Sequence, residues 1–263
     1  MEKVRIDTLL HRRGLFPSRS RAAASVMAGE VRLGSDGRRA EKPGQLVSED
    51  AVLAVDEAPR YVSRGGIKLA NALEALEIEV AGRRALDVGA STGGFTDCLL
   101  QHGAAHVVAL DVAYGELHWN IRNDPRVTVV ERTNARGLDP SQLPYRPDLV
   151  VCDVSFISLT KVLPAVLACV TRPFDVLAMI KPQFEVGRDR LGKGGVVREA
   201  ADRRQALLDV ARAAQVAGAA VMAFASSGLP GPKGNQETFV HLAEAARPAA
   251  IDDLESAARE IEP

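Results

Sequence analysis

Residues 84–100 read RALDVGASTGGFTDCLL and join a short apolar run, Ala85–Val88, to a glycine-rich stretch and a second apolar segment, Phe95–Leu100. The apolar run predicts a buried strand, and the second segment predicts a helix. A glycine-rich turn between a strand and a helix lets a ligand approach the backbone closely and directs the amides of the helix N-terminus toward it. This stretch therefore predicts a cofactor-binding loop.

Strands and helices alternate after this loop. The expected strands are apolar along their whole length, which is typical of parallel strands that are buried on both faces. The pattern predicts an α/β fold with a seven-stranded, mostly parallel sheet covered by helices on both sides. The further strands expected are His106–Val112, Arg126–Glu131, Leu149–Val154, Val176–Lys181, Ala220–Ala225 and Thr238–Leu242, and the expected helices are Lys68–Leu76, Leu117–Arg122, Leu159–Val170, Glu199–Ala217 and Ile251–Ile261.

The loop also indicates which cofactor it holds. It follows the pattern D-x-G-x-x-x-G-G-F, with Asp87 in front of it, and not the G-x-G-x-x-G pattern that packs a pyrophosphate on a helix N-terminus. A negative charge here suits a cationic ligand such as S-adenosylmethionine better than a pyrophosphate. Asp111, in the second strand, can accept hydrogen bonds from both hydroxyls of a ribose. We expect a methyl donor, and a dinucleotide-dependent oxidoreductase is the weaker alternative.

Four charged residues lie where the predicted sheet and its neighbours can bring them to one crevice. Asp153 and Lys181 follow two strands, Glu237 precedes the last strand, and Lys68 is expected in the first turn of a helix, where a lysine opposes the helix dipole. Two lysines and two acids can take a proton from a hydroxyl, such as a ribose 2′-hydroxyl, that is a poor nucleophile until it is deprotonated. Ordinary salt bridges are the alternative interpretation.

The N-terminal segment differs from the rest in charge. Residues 1–42 hold ten Lys and Arg against five acids, whereas the remaining residues hold 23 against 29. Two expected helices, residues 4–15 and 19–28, and short strands at residues 31–33 and 51–55 form a very small domain, 1–58. A basic module attached to a mildly acidic body favours nucleic-acid binding over a solvated charged surface. A linker over residues 59–64 and a second domain over residues 65–263 complete the predicted organisation.

The bulk composition excludes several classes of protein. The 263 residues contain no run of 18 apolar residues, and the N-terminus lacks the apolar core of a signal peptide. The three cysteines have no zinc-site or disulfide spacing, so we expect a reducing, cytoplasmic environment and no metal.

The motifs resemble a known family. RIDTLLHRRGLFPSRSRAAASVMAGEVRLGSDGRRAEKPGQLV is similar to the S4 RNA-binding domain. In order and spacing, the chain resembles the TlyA family, which joins an S4 domain to an FtsJ-like methyltransferase domain. The motifs that carry this resemblance are YVSRGGIKL, LDVGASTGGFTDCLL, ALDVAYGEL, NDPRV, ERTNAR, CDVSFISL, IKPQFEVG and GPKGNQE.

The resemblance implies a Rossmann-like class I methyltransferase that uses S-adenosylmethionine to methylate cytidine 2′-hydroxyls of ribosomal RNA, in 23S and, for some members, also 16S rRNA. It implies a catalytic tetrad of Lys68, Asp153, Lys181 and Glu237, with Lys181 as the base that Asp153 orients. Donor contacts are expected from Asp87, Gly89, Ala90, Ser91, Thr92, Gly93, Phe95, Asp111, Asn134 and Asp153. RNA contacts are expected from Arg5, Arg12, Arg13, Arg19, Arg21, Arg38, Arg60, Tyr61 and Arg64, while Asp7 is expected to be a structural partner of one arginine.

Two further hypotheses stay open at this point. Relatives of this family are often called haemolysins, which suggests a membrane-active cytolysin, although no strongly basic amphipathic helix supports it. A non-catalytic ribosome-binding protein with a vestigial tetrad is the other. For the enzyme we expect ribosomal RNA or ribosomal subunits as the partner, with no membrane, no protein partner and a monomeric state.

Overall fold

The structure is a computed structural model that describes residues 3–27, 29–56, 60–231 and 233–263. The chain forms two compact units, Met1–Arg60 and Tyr61–Pro263. The division falls inside the predicted linker, 59–64. The predicted helix end at Ala28, the last two residues of the predicted first domain (57–58) and the first linker residue (59) lie outside the described residues.

The first unit contains two helices and two small antiparallel sheets. Strand β1 pairs with β4, and β2 lies between β3 and β5. Residues 4 and 5 were expected in the first helix but belong to an edge strand, because the helical spacing of apolar residues begins only at Ile6, which is fully buried with Leu10. The elements are β1 (Lys3–Arg5), α1 (Ile6–Arg12), α2 (Arg19–Met27), β2 (Val31–Leu33), β3 (Arg38–Arg39), β4 (Leu46–Ser48) and β5 (Leu53–Val55).

The second unit is built on a seven-stranded sheet. Its described strands are β6 (Arg84–Val88), β7 (His106–Leu110), β8 (Val127–Val130), β9 (Leu149–Cys152), β10 (Asp175–Ile180), β11 (Ala219–Ser226) and β12 (Thr238–Glu244). The helices are α3 (Arg64–Ala75), α4 (Gly94–Gln101), α5 (Trp119–Arg122), α6 (Leu163–Cys169), α7 (Pro182–Glu185), α8 (Ala200–Val216) and α9 (Leu254–Ile261).

The sheet has the order β11-β12-β10-β9-β6-β7-β8, and β12 is antiparallel to both of its neighbours. The pairs among β10, β9, β6, β7 and β8 are parallel. Strands β9 and β10 have every residue buried, since α3 and α4 pack on one face and α6 and α8 on the other. The predicted α/β fold with a mostly parallel, doubly covered sheet is confirmed.

The reversed direction of β12 matters for the site. In the pairing with β10, Thr238 lies opposite Ile180, so the first residue of one strand meets the last residue of the other. Residues that precede β12 therefore reach the same edge of the sheet as residues that follow β6, β9 and β10. This edge is where ligands bind in open α/β sheets.

Helix α3 starts four residues earlier than expected. Gly65 and Gly66 were expected to precede the helix, but they lie inside it, and Lys68 is in its second turn. The glycine at 66 has a packing reason, since a Cβ there would lie 2.3 Å from Cγ of Tyr61. Lys68 therefore does not lie in the first turn, and the prediction that it opposes the helix dipole there was wrong.

Candidate active site

The glycine-rich loop between β6 and α4 has a backbone that only certain residues adopt easily. Gly89 and Gly93 have φ of 86° and 94°, and Ser91 has φ of 47°. A Cβ on Gly89 would lie 2.3 Å from the carbonyl oxygen of Asp153. The loop therefore rests directly on the end of β9, and a side chain at position 89 would push the two apart.

A cavity of 530 Å³, here called the Asp111 cavity, opens beside this loop. The carboxylate of Asp111 faces it and is oriented by two backbone amides, because Ser91 N donates to one oxygen at 2.7 Å and Ala113 N to the other at 2.8 Å. The lining residues are Gly89, Ser91, Leu110, Asp111, Val112, Glu116, Thr133, Asn134, Ala135, Asp153, Val154, Ser155, Phe156, Ile157 and Val162.

Five of the residues expected to contact the donor line this cavity, namely Gly89, Ser91, Asp111, Asn134 and Asp153. The Asn134 side chain also accepts a hydrogen bond from Arg136 N at 3.0 Å, so it caps the short helical turn that follows. Ala90, Thr92 and Phe95 line a neighbouring cavity instead. Gly93 packs toward Leu117, where a Cβ would lie 2.9 Å from the leucine Cδ1.

Asp87 lies in a different place from the one expected. Its side chain is fully buried beneath the loop, where one carboxylate oxygen accepts a hydrogen bond of 2.6 Å from Thr96 Oγ1. Burial raises the pKa of Asp87 to about 7, and the nearby carboxylates of Asp153 and Asp111 act in the same direction. The proposed direct contact between a fixed Asp87 charge and a cationic ligand is therefore not supported, because the group does not reach the cavity surface.

A second cavity of 380 Å³, here called the Lys181 cavity, lies on the other side of the loop. It shares Gly89, Ser91 and Asp153 with the Asp111 cavity. All four residues of the expected tetrad line it. The full lining is Ser63, Arg64, Gly65, Lys68, Gly89, Ala90, Ser91, Thr92, Gly94, Phe95, Asp153, Lys181 and Glu237.

The four charged residues form two ion pairs. Lys181 Nζ lies 2.5 Å from Asp153 Oδ1 and donates a hydrogen bond to Ser155 Oγ at 2.9 Å. Lys68 Nζ is in direct contact with the Glu237 carboxylate. The side chains of Lys181 and Lys68 are only 12% and 11% exposed, and that of Glu237 is 1% exposed. Buried charges are tolerated where they are paired. They also shift the pKa of a titratable group that binds between them.

Two site residues were missed by the sequence analysis, although both stand in the quoted motif CDVSFISL. Ser155 is the hydrogen-bond partner of Lys181. Phe156 has φ of 64° and is 92% exposed, and its ring centroid lies 5.2 Å from that of Phe184. An exposed aromatic side chain on a strained backbone three residues after Asp153 is a signal that only the structure provides.

The six arginines of residues 1–42 that were expected to contact RNA fall into two groups. Arg5 donates to Asp7 at 3.1 and 2.7 Å, which lowers the pKa of that buried carboxyl, and Arg13 donates to the carbonyl oxygens of Ala51 and Glu49 at 2.7 and 2.5 Å. The structural role expected for Asp7 is thus confirmed. The second group has exposed side chains and consists of Arg12, Arg19, Arg21 and Arg38. Arg12 and Arg19 form ion pairs of 3.7 and 3.9 Å with Glu49 and Asp7, and among the described residues Arg21 and Arg38 form no ion pair.

The segment at the start of the second unit was expected to contact RNA. Tyr61 is only 2% exposed and packs in the core beside Gly66, so an outward-facing role for its ring is wrong. Arg60 is exposed. Arg64 is exposed, lines the Lys181 cavity and donates to the carbonyl of Pro230 at 3.1 Å.

Comparison with known proteins adds a family to this geometry. Residues 61–244 match the FtsJ-like methyltransferase family and residues 4–53 match the S4 domain. The 16S/23S rRNA (cytidine-2′-O)-methyltransferase TlyA of Mycobacterium tuberculosis is 54% identical over 242 residues, which are 91% of this chain and 90% of that protein. The chain belongs to the TlyA family of FtsJ-like methyltransferases.

Other relatives of this TlyA-family chain carry a different name. Hemolysin A of Brachyspira hyodysenteriae is 36% identical, and the match covers 91% of this chain and 99% of that protein. A solved structure of a candidate hemolysin from Streptococcus thermophilus has 38% identity and a TM-score of 0.74, covering 99% of this chain and 96% of that one. Over the ranges that the structure describes, every helix is too short or too polar to cross a membrane.

The fold and the family imply S-adenosylmethionine as the cofactor of this TlyA-family chain. The fold is similar to that of the S-adenosylmethionine-dependent methyltransferase from Mesorhizobium loti, with a TM-score of 0.51 at 15% identity. The chain is therefore an enzyme of the methyltransferase class.

Proposed function

We propose that this enzyme transfers the methyl group of S-adenosylmethionine to the 2′-hydroxyl of a cytidine in ribosomal RNA. The observation that carries the proposal is that Lys68, Asp153, Lys181 and Glu237 all line one cavity, and that this cavity meets the Asp111 cavity at Asp153 and the loop. Two adjoining cavities give a donor and an acceptor a common boundary where a methyl group can be passed.

The Asp111 cavity fits the cofactor in size and in chemistry. Its 530 Å³ lies in the range of small-molecule sites. Each carboxylate oxygen of Asp111 accepts one backbone amide and keeps a further lone pair for a ribose hydroxyl. Bound S-adenosylmethionine would supply an electrophilic methyl group on a positively charged sulfur. Asp153, which lines both cavities, offers a negative charge to that end of the ligand.

Lys181 is the residue we assign to proton removal. Its amine accepts the 2′-hydroxyl proton in the neutral form, so the lysine must first give a proton to solvent. Asp153 at 2.5 Å and the Ser155 hydroxyl at 2.9 Å fix the direction of the amine. After transfer, the same carboxylate stabilises the lysine that has become charged.

Lys68 and Glu237 form the opposite side of the cavity. Glu237 is almost fully buried and would carry an uncompensated charge without Lys68, a situation that costs several kcal/mol. As a pair they present an ammonium group that can hold a ribose oxygen while the carboxylate restrains the ammonium. We therefore assign them to positioning the acceptor and tuning the charge around Lys181.

Ribosomal RNA is the proposed acceptor because the relative from Mycobacterium tuberculosis is named for cytidine 2′-O-methylation of 16S and 23S rRNA and because an S4 domain precedes the enzyme unit. The exposed arginines of that domain, Arg12, Arg19, Arg21 and Arg38, can contact phosphates, which gives affinity that falls with salt and little sequence specificity. We propose that the enzyme methylates the RNA of both ribosomal subunits.

The test is methyl transfer from labelled S-adenosylmethionine to isolated large and small ribosomal subunits that lack 2′-O-methylcytidine. Lys181→Ala is expected to lower the rate by about 10²–10⁴-fold, because it removes the general base, while S-adenosylmethionine binding by calorimetry stays within about twofold. Lys161→Ala, which removes an exposed lysine from the same unit, is the matched control and should leave the rate unchanged.

Three outcomes would contradict the proposal. A normal rate in Lys181→Ala would overturn the assignment of the base. Cofactor binding by the wild-type chain without transfer to either subunit would favour a non-catalytic ribosome-binding protein. Transfer to one subunit alone, with the modified nucleotide mapped by mass spectrometry, would overturn the dual specificity.

A further inference from the structure

Asn235 is a buried polar residue two positions before Glu237 that the reaction scheme above does not use. It is 3% exposed, and both ends of its amide are occupied. Oδ1 accepts a hydrogen bond from Val197 N at 2.9 Å, and Nδ2 donates to the carbonyl of Gly195 at 3.0 Å. A single side chain thus joins the segment that leads into β12 to the separate segment 195–197.

The segment 195–197 is itself anchored from the other side. Arg203, on α8, donates to the carbonyl oxygens of Arg198 at 2.7 Å and Val197 at 3.4 Å. The same guanidinium donates to Glu262 at 2.8 Å, and the side chains of this ion pair are 12% and 4% exposed. Asn235 is therefore bonded to a part of the chain that a buried ion pair holds in place.

Glu237 has little freedom of its own at the other end of this connection. Its backbone oxygen accepts from Ser227 N at 3.0 Å, and its carboxylate contacts Lys68. A Cβ on Gly231 would lie 2.4 Å from Glu237 Oε1, so the carboxylate lies directly against the backbone at Gly231. The carbonyl of Asn235 accepts from Gly231 N at 2.8 Å, which ties that backbone to Asn235 as well.

We propose that Asn235 is a positioning residue that holds the Glu237 carboxylate against Lys68, with the Arg203–Glu262 ion pair as its fixed support. The proposal rests on the function assigned to the tetrad. If the two bonds of Asn235 are lost, the segment before β12 can move relative to segment 195–197, and the carboxylate moves with it. A displacement of about 1 Å at such a site reduces turnover by up to about 100-fold.

The first experiment is a double-mutant cycle on the full chain, with methyl transfer to ribosomal subunits under single-turnover conditions. Asn235→Ala is expected to lower the rate about 10- to 100-fold with S-adenosylmethionine affinity unchanged, and the Asn235→Ala, Glu237→Gln double variant is expected to be no slower than Glu237→Gln alone. Asn123→Ala, which removes an exposed asparagine amide bonded to the carbonyl of Trp119 at 2.7 Å, is the matched control.

Losses that multiply in the double variant would overturn the proposal, because Asn235 would then act independently of Glu237. A normal rate in Asn235→Ala would overturn it as well. If that variant does not unfold cooperatively, Asn235→Asp replaces it in the same cycle, since it keeps the oxygen that accepts from Val197 N.

A second measurement separates this inference from the proposed function. Hydrogen exchange followed by mass spectrometry is expected to be faster in Asn235→Ala over residues 195–198 and 235–238, with the rest of the sheet unchanged. Unchanged exchange in both segments would overturn the positioning role whatever the activity is. A wild-type rate in Glu237→Gln, with exchange altered in Asn235→Ala, would instead overturn the role given to Glu237 in the proposed function.

Discussion

Replacing Gly89 by alanine tests the geometry of the loop with one added methyl group. Two costs apply at this position. The φ of 86° lies in the left-handed region, which costs a residue with a Cβ about 1–2 kcal/mol. The new Cβ would also lie 2.3 Å from the carbonyl oxygen of Asp153, which is backbone and cannot turn away. Overpacking of this kind costs about 1–3 kcal/mol more.

Gly82→Ala is a control that carries only the first of these costs. Gly82 has φ of 74°, and a Cβ there meets no atom within 4 Å. We therefore expect Gly82→Ala to lower the free energy of unfolding by about 1–2 kcal/mol, and Gly89→Ala to lower it by about 2–5 kcal/mol. The difference between the two variants isolates the contact between the loop and the end of β9.

Function should separate the two variants more clearly than stability does. Relief of the contact moves either the loop, which carries the Ser91 amide that orients Asp111, or Asp153, which holds Lys181. We expect S-adenosylmethionine affinity, measured by titration calorimetry, to fall at least about tenfold in Gly89→Ala, equivalent to about 1.4 kcal/mol, and to stay near wild type in Gly82→Ala. Equal affinities in the two variants would refute the reasoning.

Two further predictions concern Asp111 and the opposite end of the sheet. In Asp111→Asn, the new side-chain NH₂ group lies against a backbone amide that donates to the carboxylate in the wild type. Cofactor affinity, measured by calorimetry, should therefore fall about 10- to 100-fold. An unchanged Kd would argue against the Asp111 cavity as the cofactor site. Burial alone would raise the pKa of Asp175, but hydrogen bonds and charge from His241, Arg83 and Arg247 outweigh it and lower the pKa to about 2. The ionised Asp175 therefore stabilises the fold above its unfolded pKa, near pH 4, and this stabilisation is lost as the pH falls toward 2. The difference in the free energy of unfolding between wild type and Asp175→Asn, measured in urea, should become smaller over that interval. A difference that does not change with pH would contradict the assignment.

Much of the enzyme unit could be predicted from the sequence because its strands are buried on both faces. The apolar runs at β6, β7, β9 and β10 leave little choice of secondary structure, and their polar ends indicate the edge where a ligand binds. The direction of β12 could not be predicted in the same way. A buried apolar run has the same appearance in either direction, so only the pairing of Thr238 with Ile180 reveals it.

The candidate site was predictable as a set of residues but not as an arrangement. Lys68 and Glu237 are 169 positions apart, and no local pattern links the two. Asp87 was misplaced because its position before the loop says nothing about depth, and burial decides its contacts. Tyr61 was misplaced for a similar reason, since a tyrosine that follows an arginine in the sequence can still pack in a core. Strand β4 was not predicted because only one of its three residues is buried, whereas the equally short β2 has two buried apolar residues in alternation.

The antiparallel strand also sets an order in which the site can be completed as the chain is made. Every residue that lines the Asp111 cavity lies between positions 89 and 162, so the donor side can form from the central strands. The acceptor side waits for Glu237, which reaches Lys68 only when β12 has inserted between β10 and β11. Because contacts between distant parts of a chain form slowly, donor binding should precede competence for methyl transfer during folding. A chain still being synthesised could then hold its methyl donor before it has the residues to use it.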